Sequence, residues 1–212
     1  MLEKHLKPPS ERKYSGIYTD PDIGVVMNYG RVGVNRYKDR QIMHEPMFLN
    51  AIRTLIDYER PNYIFEFGSF QGGLTSFMSD ASLIHGHHVQ ITSFDWDLRE
   101  QPNQIAIPNA EFVRLDVFDV NTYLAENEQF LSDITGCIMV IDDIGINTTH
   151  LLNSFDAYLK KGDHFVCCHT LDEAVHDSLM LAAEDKYLVN TMACDAFGEN
   201  FVENPNGFLV KA

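Results

Sequence analysis

The stretch Tyr63-Ile64-Phe65-Glu66-Phe67-Gly68-Ser69-Phe70-Gln71-Gly72-Gly73 constrains the fold more than any other part of the 212-residue chain. Its apolar start has the length of a buried strand and runs into a loop bracketed by Gly68 and Gly72-Gly73. Leu74, Phe77, Met78, Ala81 and Ile84 then recur at helical spacing until Gly86 stops the pattern. Strand, glycine loop and helix in that order form the ligand-facing turn of an α/β sheet, because glycine lets the backbone approach a bound group closely. The spacing is Gly-x-x-x-Gly, not the Gly-x-Gly-x-x-Gly of dinucleotide folds. Glu66, two residues before the first glycine, suits a cationic ligand better than a pyrophosphate.

The alternation continues along the chain. Strand patterns are expected at 62–67, 88–94, 111–115, 136–142, 163–168 and 187–192, with helical patterns between most of them. This order predicts an α/β, Rossmann-like, doubly wound and mostly parallel sheet. Pro46 opens a helix at its tolerated first position, Phe48, Ile52, Leu55 and Ile56 form its apolar face, and Pro61 ends it. Another helix is expected from about Thr148 to Lys161, capped by Gly162. The turn Asn204-Pro205-Asn206-Gly207 feeds a last strand expected to pair with 187–192 as an antiparallel hairpin. Residues 1–45, rich in Pro, Gly, Tyr and charge, are expected to be an irregular N-terminal segment packing on one domain spanning 46–212.

A formal charge of −15 opposes binding to a phosphate backbone or an anionic membrane. No run approaches the roughly eighteen apolar residues of a transmembrane helix, and the N-terminal sequence lacks the apolar stretch of a signal peptide. The four cysteines show no Cys-x-x-Cys spacing, and Cys137, Cys167 and Cys168 lie in apolar runs, so buried free thiols are expected. Together these features predict a soluble cytoplasmic protein without nucleic-acid or membrane partners.

Ligands of open α/β sheets bind beyond the carboxyl ends of the strands. Asp95 ends the second strand pattern 23 residues beyond Gly72, near the usual offset of the carboxylate that accepts from ribose hydroxyls; Asp97 is a second candidate. Asp116 ends the third pattern, where it can accept from an adenine amine while the Val117 amide meets a ring nitrogen, and Asp119 is expected to cap the following helix. Asp142-Asp143 leave the fourth pattern as an adjacent acidic pair, one of which is expected to hold a metal, a substrate proton or an ammonium. His169 leaves the fifth and is a candidate base or ligand, with His150 as a second. His85, His87 and His88 read as turn residues on the opposite edge.

With these residues in place, the chain from about residue 40 onward resembles the cephalosporin hydroxylase-type branch of the class I S-adenosylmethionine (SAM) methyltransferases. The resemblance rests on Glu66-Phe67-Gly68 with Gly72-Gly73, Asp95, Asp97, Asp116 and Asp142. It also rests on Tyr158-Leu159-Lys160-Lys161-Gly162, Phe197-Gly198 and Asn204-Pro205-Asn206-Gly207-Phe208. It implies a seven-stranded Rossmann-like sheet with a C-terminal antiparallel hairpin. It also implies SAM as cofactor: the backbone of Gly68, Ser69 and Gly72 would cradle the methionine part, Asp95 the ribose, and Asp116 with Val117 the adenine.

Relatives in this branch often bind a divalent metal through one carboxylate after the fourth strand and an acidic pair after the fifth. Asp142 matches the first position, whereas Cys168 and His169 replace the pair and disfavour Mg²⁺. The branch also tends to carry a His three residues past the fourth-strand Asp, where this chain has Gly145. A divalent metal is therefore left open, and Asp142, His169 or His150 would supply the base.

The function that follows is methyl transfer from SAM to the hydroxyl of a small molecule. Cleavage or cyclisation of SAM to methylthioadenosine, or a silent SAM-binding protein, are the alternatives, and the glycine spacing counts against a nicotinamide oxidoreductase. The N-terminal residues Arg36, Tyr37 and His44 are expected near the acceptor site. Self-association is common in the branch, so the resemblance also raises a homo-oligomer.

Overall fold

A computed structural model describes residues 5–14, 35–98, 106–196, 200 and 204–212. The Phe197-Gly198 pair of the resemblance lies outside the described residues. Ten strands are described: β1 (Leu6–Lys7), β2 (Asn35–Tyr37), β3 (Arg40–Ile42), β4 (Tyr63–Phe67), β5 (Gln90–Asp95), β6 (Ala110–Arg114), β7 (Ile138–Asp142), β8 (His164–Cys167), β9 (Tyr187–Asn190) and β10 (Phe208–Lys211). The helices are α1 (Pro46–Glu59), α2 (Gly73–Ile84), α3 (Val120–Glu126), α4 (Glu128–Asp133), α5 (Thr148–Phe155), α6 (Glu173–Ala183) and α7 (Thr191–Cys194).

The main sheet runs β1-β9-β10-β8-β7-β4-β5-β6. Strands β6, β5, β4, β7 and β8 are parallel, while β10 inserts antiparallel between β8 and β9. The strand order reverses direction at β4 and β7, so the carboxyl ends of these two strands flank the switch-point cleft of a doubly wound sheet. Their register sets Phe67 beside both Phe94 and Asp142, and Asp142 beside Cys167, which brings the candidate strand ends level.

Side-chain alternation along β4 divides the core between the two faces. Phe65 and Phe67 stack toward Phe155 of α5, with ring centroids 5.5 and 5.6 Å away, while Glu66 turns to the other face and meets Thr75 of α2. On α1 the buried face is Phe48, Ala51, Ile52, Leu55 and Ile56, and Phe48 lies 5.9 Å from the Phe208 ring of β10. That face matches the period read from the sequence. The helix stops at Arg60, whose left-handed φ of 49° ends it just before Pro61. All four cysteines are free thiols. Among the described residues no helix is long and apolar enough to cross a membrane.

Two expectations are corrected. The main sheet has eight strands rather than seven, because Leu6 and Lys7 pair with Asn190 and Val189 at its edge. Strand β10 pairs antiparallel with β9, as expected, and also with β8. The helix expected over Thr148–Lys161 ends at Phe155. Beyond it, Asp163 accepts from the Lys160 and Ile138 amides at 2.6 and 2.8 Å, and the Gly162 N–H donates to Lys211 O rather than capping a helix.

The N-terminal segment carries more regular structure than its composition suggests. Lys38 and Asp39, both at positive φ, turn β2 into β3 as a two-residue hairpin. Tyr37 packs edge-on against Phe77 of α2 at 5.6 Å and donates to Asp80 at 2.7 Å. Arg12 reaches across to the C-terminal side, donating to both carboxylate oxygens of Asp195 and to Asn200 and Asn206.

Candidate functional site

The glycine loop leaves β4 with Gly68 at φ +96°, a conformation costly for any residue with a Cβ. A Cβ at Gly68 would also stand 2.5 Å from the Asp143 carbonyl oxygen, so the loop after β4 lies tight against the exit of β7. The amides of Gly68 and Ser69 both donate to Phe94 O, at 2.8 and 3.1 Å, and Ser69 is buried. At Gly72 a Cβ would lie 2.8 Å from Arg40 Nη1 and 2.9 Å from the Phe112 ring, and one at Gly73 would overlap the Gln41 carbonyl. Gly72 and Gly73 thus let the β2–β3 hairpin pack on the start of α2.

Glu66 does not line a cavity; it is fully buried and ties three elements together. Its Oε2 accepts from Thr75 Oγ1 of α2 at 2.5 Å and from Ser93 Oγ of β5, while Oε1 has no partner. Burial pushes this carboxyl up to about 7, against the lowering effect of the two hydroxyls. In this position Glu66 supports the glycine loop from behind.

The linkage has a definite sign. Since the folded pKa is raised, the stability it confers is complete below about pH 4.5 and is lost as pH rises through about 7. Denaturant titrations across that window should show the wild type losing stability, by no more than about 3 kcal/mol, relative to Glu66→Gln. Equal pH slopes in the two proteins would show that Glu66 titrates normally.

A cavity of about 390 Å³ opens at the carboxyl ends of β4, β5 and β7. Asp95, Asp116 and Asp143 supply its charge, and Phe70, Trp96, Phe118 and Ile146 its apolar walls. These four apolar residues are all exposed, Trp96 by 66% and Phe118 by 64%, which is the surface of a stacking site rather than of a core.

Asp95 Oδ2 accepts from the Phe70 amide at 2.8 Å and Oδ1 from the Asp97 amide at 3.1 Å. Each oxygen keeps a further lone pair for a diol. The Asp97 side chain belongs to the neighbouring surface beside Leu98 and Arg114 rather than to this cavity. Asp116 and Val117 line the cavity, but the capping assignment reverses. Asp116 Oδ1 accepts from the Phe118 amide at 3.1 Å and caps the 3-10 turn Val117–Asp119, whereas Asp119 makes no side-chain cap bond to α3.

The acidic pair after β7 is divided by the pleat. Asp142 is fully buried, its Oδ1 accepting from the Ile144 amide at 3.2 Å and its Oδ2 lying 3.9 Å from Cys167 Sγ. Burial pushes its pKa up. Asp142 does not line the cavity, whereas its neighbour Asp143 does.

Asp143 Oδ2 lies 2.9 Å from His44 Nε2, and its Oδ1 3.4 Å from His169 Nε2. Burial pushes the Asp143 carboxyl up, but the charge and hydrogen bonds of His44 and His169 outweigh it and hold it below the usual carboxylate range. Contact with Asp143 raises the His169 pKa in return, against the opposing effect of burial. The His169 ring packs over Gly145, where a Cβ would come within 3.1 Å of it.

Cys168, buried, stands next to this group and with His44 and Asp143 forms a cluster whose donor atoms lie within 4.8 Å of one another. His150 lies on the first turn of α5 with a buried Nε2 that has no partner, and it does not line the cavity. Of the N-terminal residues expected near an acceptor, His44 reaches the site, Tyr37 binds Asp80 instead, and Arg36 is exposed.

Neither the protein-family models nor the curated proteins gave a match to the sequence. Solved structures do match. A Mg–SAM form of CmcI aligns over 84% of this chain and 76% of its own with a TM-score of 0.69 at 19% identity. A CmcI–SAH structure aligns over 84% of this chain and 82% of its own with a TM-score of 0.66 at 17% identity. A caffeoyl-CoA O-methyltransferase-like protein from Staphylococcus aureus aligns over 92% of this chain and 94% of its own with a TM-score of 0.50 at 13% identity. The chain thus has the α/β fold of the SAM-dependent methyltransferases of the CmcI type, as the sequence resemblance implies.

Proposed function

We propose that the protein is a SAM-dependent methyltransferase acting on a small-molecule hydroxyl. The observation that carries this reading is the cavity at the switch point, where a diol-accepting carboxylate, Asp95, stands among exposed aromatic walls with Asp143, and His169 lies behind Asp143 outside the lining. The cavity's chemistry fits a cofactor with a ribose, an aromatic base and a cationic end. Asp95 accepts from the two ribose hydroxyls, and Asp116 with the Val117 amide faces the adenine. Phe118 and Trp96 offer stacking surfaces, and the Asp143 carboxylate favours the positive charge near Gly68.

When bound, SAM supplies a methyl group already activated for transfer, so the protein's tasks are positioning and proton removal. His169 Nδ1, the ring nitrogen turned away from Asp143, takes the proton of the acceptor hydroxyl as its oxygen is methylated, while Nε2–H faces Asp143 Oδ1. Asp143 orients the imidazole and stabilises the imidazolium that results, and by raising the His169 pKa it makes the imidazole a stronger base. Two of the donors around Asp143 are imidazole and thiolate, which do not fit the oxygen-rich octahedron of Mg²⁺.

Product analysis tests the reading. Incubation with SAM and a panel of hydroxylated small molecules should yield S-adenosylhomocysteine only when an acceptor is present. Methylthioadenosine formed without an acceptor would replace methyl transfer with cleavage or cyclisation of SAM.

A further inference from the structure

Three side chains from separate parts of the fold converge at the edge of the cavity. His44 comes from the turn between β3 and α1, Asp143 follows β7 and Cys168 follows β8. One donor atom of each lies within 4.8 Å of the others, and His44 Nε2 already stands 2.9 Å from Asp143 Oδ2. His44 and Cys168 are only 5% and 7% exposed, and the Asp143 side chain 16%, so the cluster is screened from bulk water. From this juxtaposition we propose that His44, Asp143 and Cys168 form a binding site for one transition-metal ion of the Zn²⁺ class.

The donor chemistry selects the ion. An imidazole nitrogen, a thiolate and one carboxylate oxygen make a borderline-soft set, which Zn²⁺, Co²⁺ or Ni²⁺ accepts and Mg²⁺ does not. Geometry agrees. Bonds of about 2.0–2.3 Å in a tetrahedron place ligand atoms about 3.3–3.8 Å apart, so the widest separation here closes by about 1 Å and the His44–Asp143 pair opens by about 0.4 Å. A three-ligand site keeps a fourth position for water or a substrate oxygen, the arrangement of catalytic rather than structural zinc.

The two Asp143 oxygens divide the work. Oδ2 faces His44 and the ion, and Oδ1 faces His169, which stays outside the ligand set. His44 belongs to the N-terminal side of the fold, 99 residues from Asp143, so the ion would also fasten the β3–α1 turn to the sheet. None of this depends on SAM being the cofactor.

The full-length protein, stripped with a chelator, is titrated calorimetrically with Zn²⁺ and with Mg²⁺, and its Co²⁺ form is read by absorption. The expected result is one Zn²⁺ per chain at micromolar or lower Kd and no response to millimolar Mg²⁺. The Co²⁺ form should show a thiolate-to-metal charge-transfer band. Cys168→Ser should abolish that band, and His44→Ala should weaken Zn²⁺ at least tenfold, with circular dichroism confirming the fold of each. If a variant fails to fold, the wild-type stoichiometry and thiolate band decide. No Zn²⁺ binding by the wild type, micromolar Mg²⁺ binding, or a Co²⁺ spectrum without a thiolate band would overturn the proposal. So would an unchanged band in folded Cys168→Ser, which would place the thiolate ligand elsewhere.

Discussion

His169→Ala lowers turnover by about two to four orders of magnitude and leaves SAM affinity within a few-fold of wild type. The reason lies in where the ring sits. Its Nε2 lies 3.4 Å from Asp143 Oδ1, its side chain is 38% exposed and its ring rests on Gly145, so it has an orienting carboxylate and access to solvent. Its polar partner is Asp143 and not Asp95, so adenosine recognition survives its removal. The measurement is kcat with a fixed acceptor alongside a SAM titration of each protein. Turnover within tenfold of wild type would move the base to another group, with the substrate itself or His44 as the next to test. Loss of SAM binding would show that His169 belongs to the cofactor half of the site.

Asp95→Ala weakens SAM by about 1.5–3 kcal/mol, roughly tenfold or more in Kd. Two ribose hydroxyls lose their acceptor, and the Phe70 and Asp97 amides, which donate to the same carboxylate, lose theirs. The second loss loosens the glycine loop, so Asp95→Asn is the necessary companion. Asn retains one acceptor oxygen for the loop and replaces the other with a donor, so it weakens SAM while holding Phe70. Unchanged SAM affinity in both variants would remove Asp95 from the ribose site.

How much of this the sequence disclosed depended on how local each determinant is. The strand β4, its glycine exit and the position of Asp95 were readable because each is set within a few residues by apolar runs and backbone turns. Asp143 was not. Strand β7 is buried at all five positions, so no polar alternation indicates which of two consecutive carboxylates faces the cleft. Capping at Asp116 rather than Asp119 depended on a one-turn 3-10 helix that precedes α3, a detail without a sequence period.

The premature end of α5 had another cause. Asp163 takes the Ile138 amide 25 residues away, and that partner cannot be inferred from the helical pattern. His44 and Cys168 were visible as candidates, but their meeting at Asp143 was not, because only the sheet brings the three together. The exposed walls Phe118 and Ile146 did leave a trace as large apolar residues beside acidic strand ends. Only the sheet register turns that trace into the wall of a cavity.

Trp96 provides the most direct test of the central claim, that this cavity binds SAM. It is the only tryptophan in the chain, it lines the cavity and it is 66% exposed, so the protein's tryptophan emission reports on this site. Titration of the wild type with SAM is predicted to change that emission saturably at one SAM per chain, with S-adenosylhomocysteine competing and Asp95→Ala shifting the midpoint upward by about tenfold or more. No change in emission and no calorimetric heat up to millimolar SAM would contradict the account.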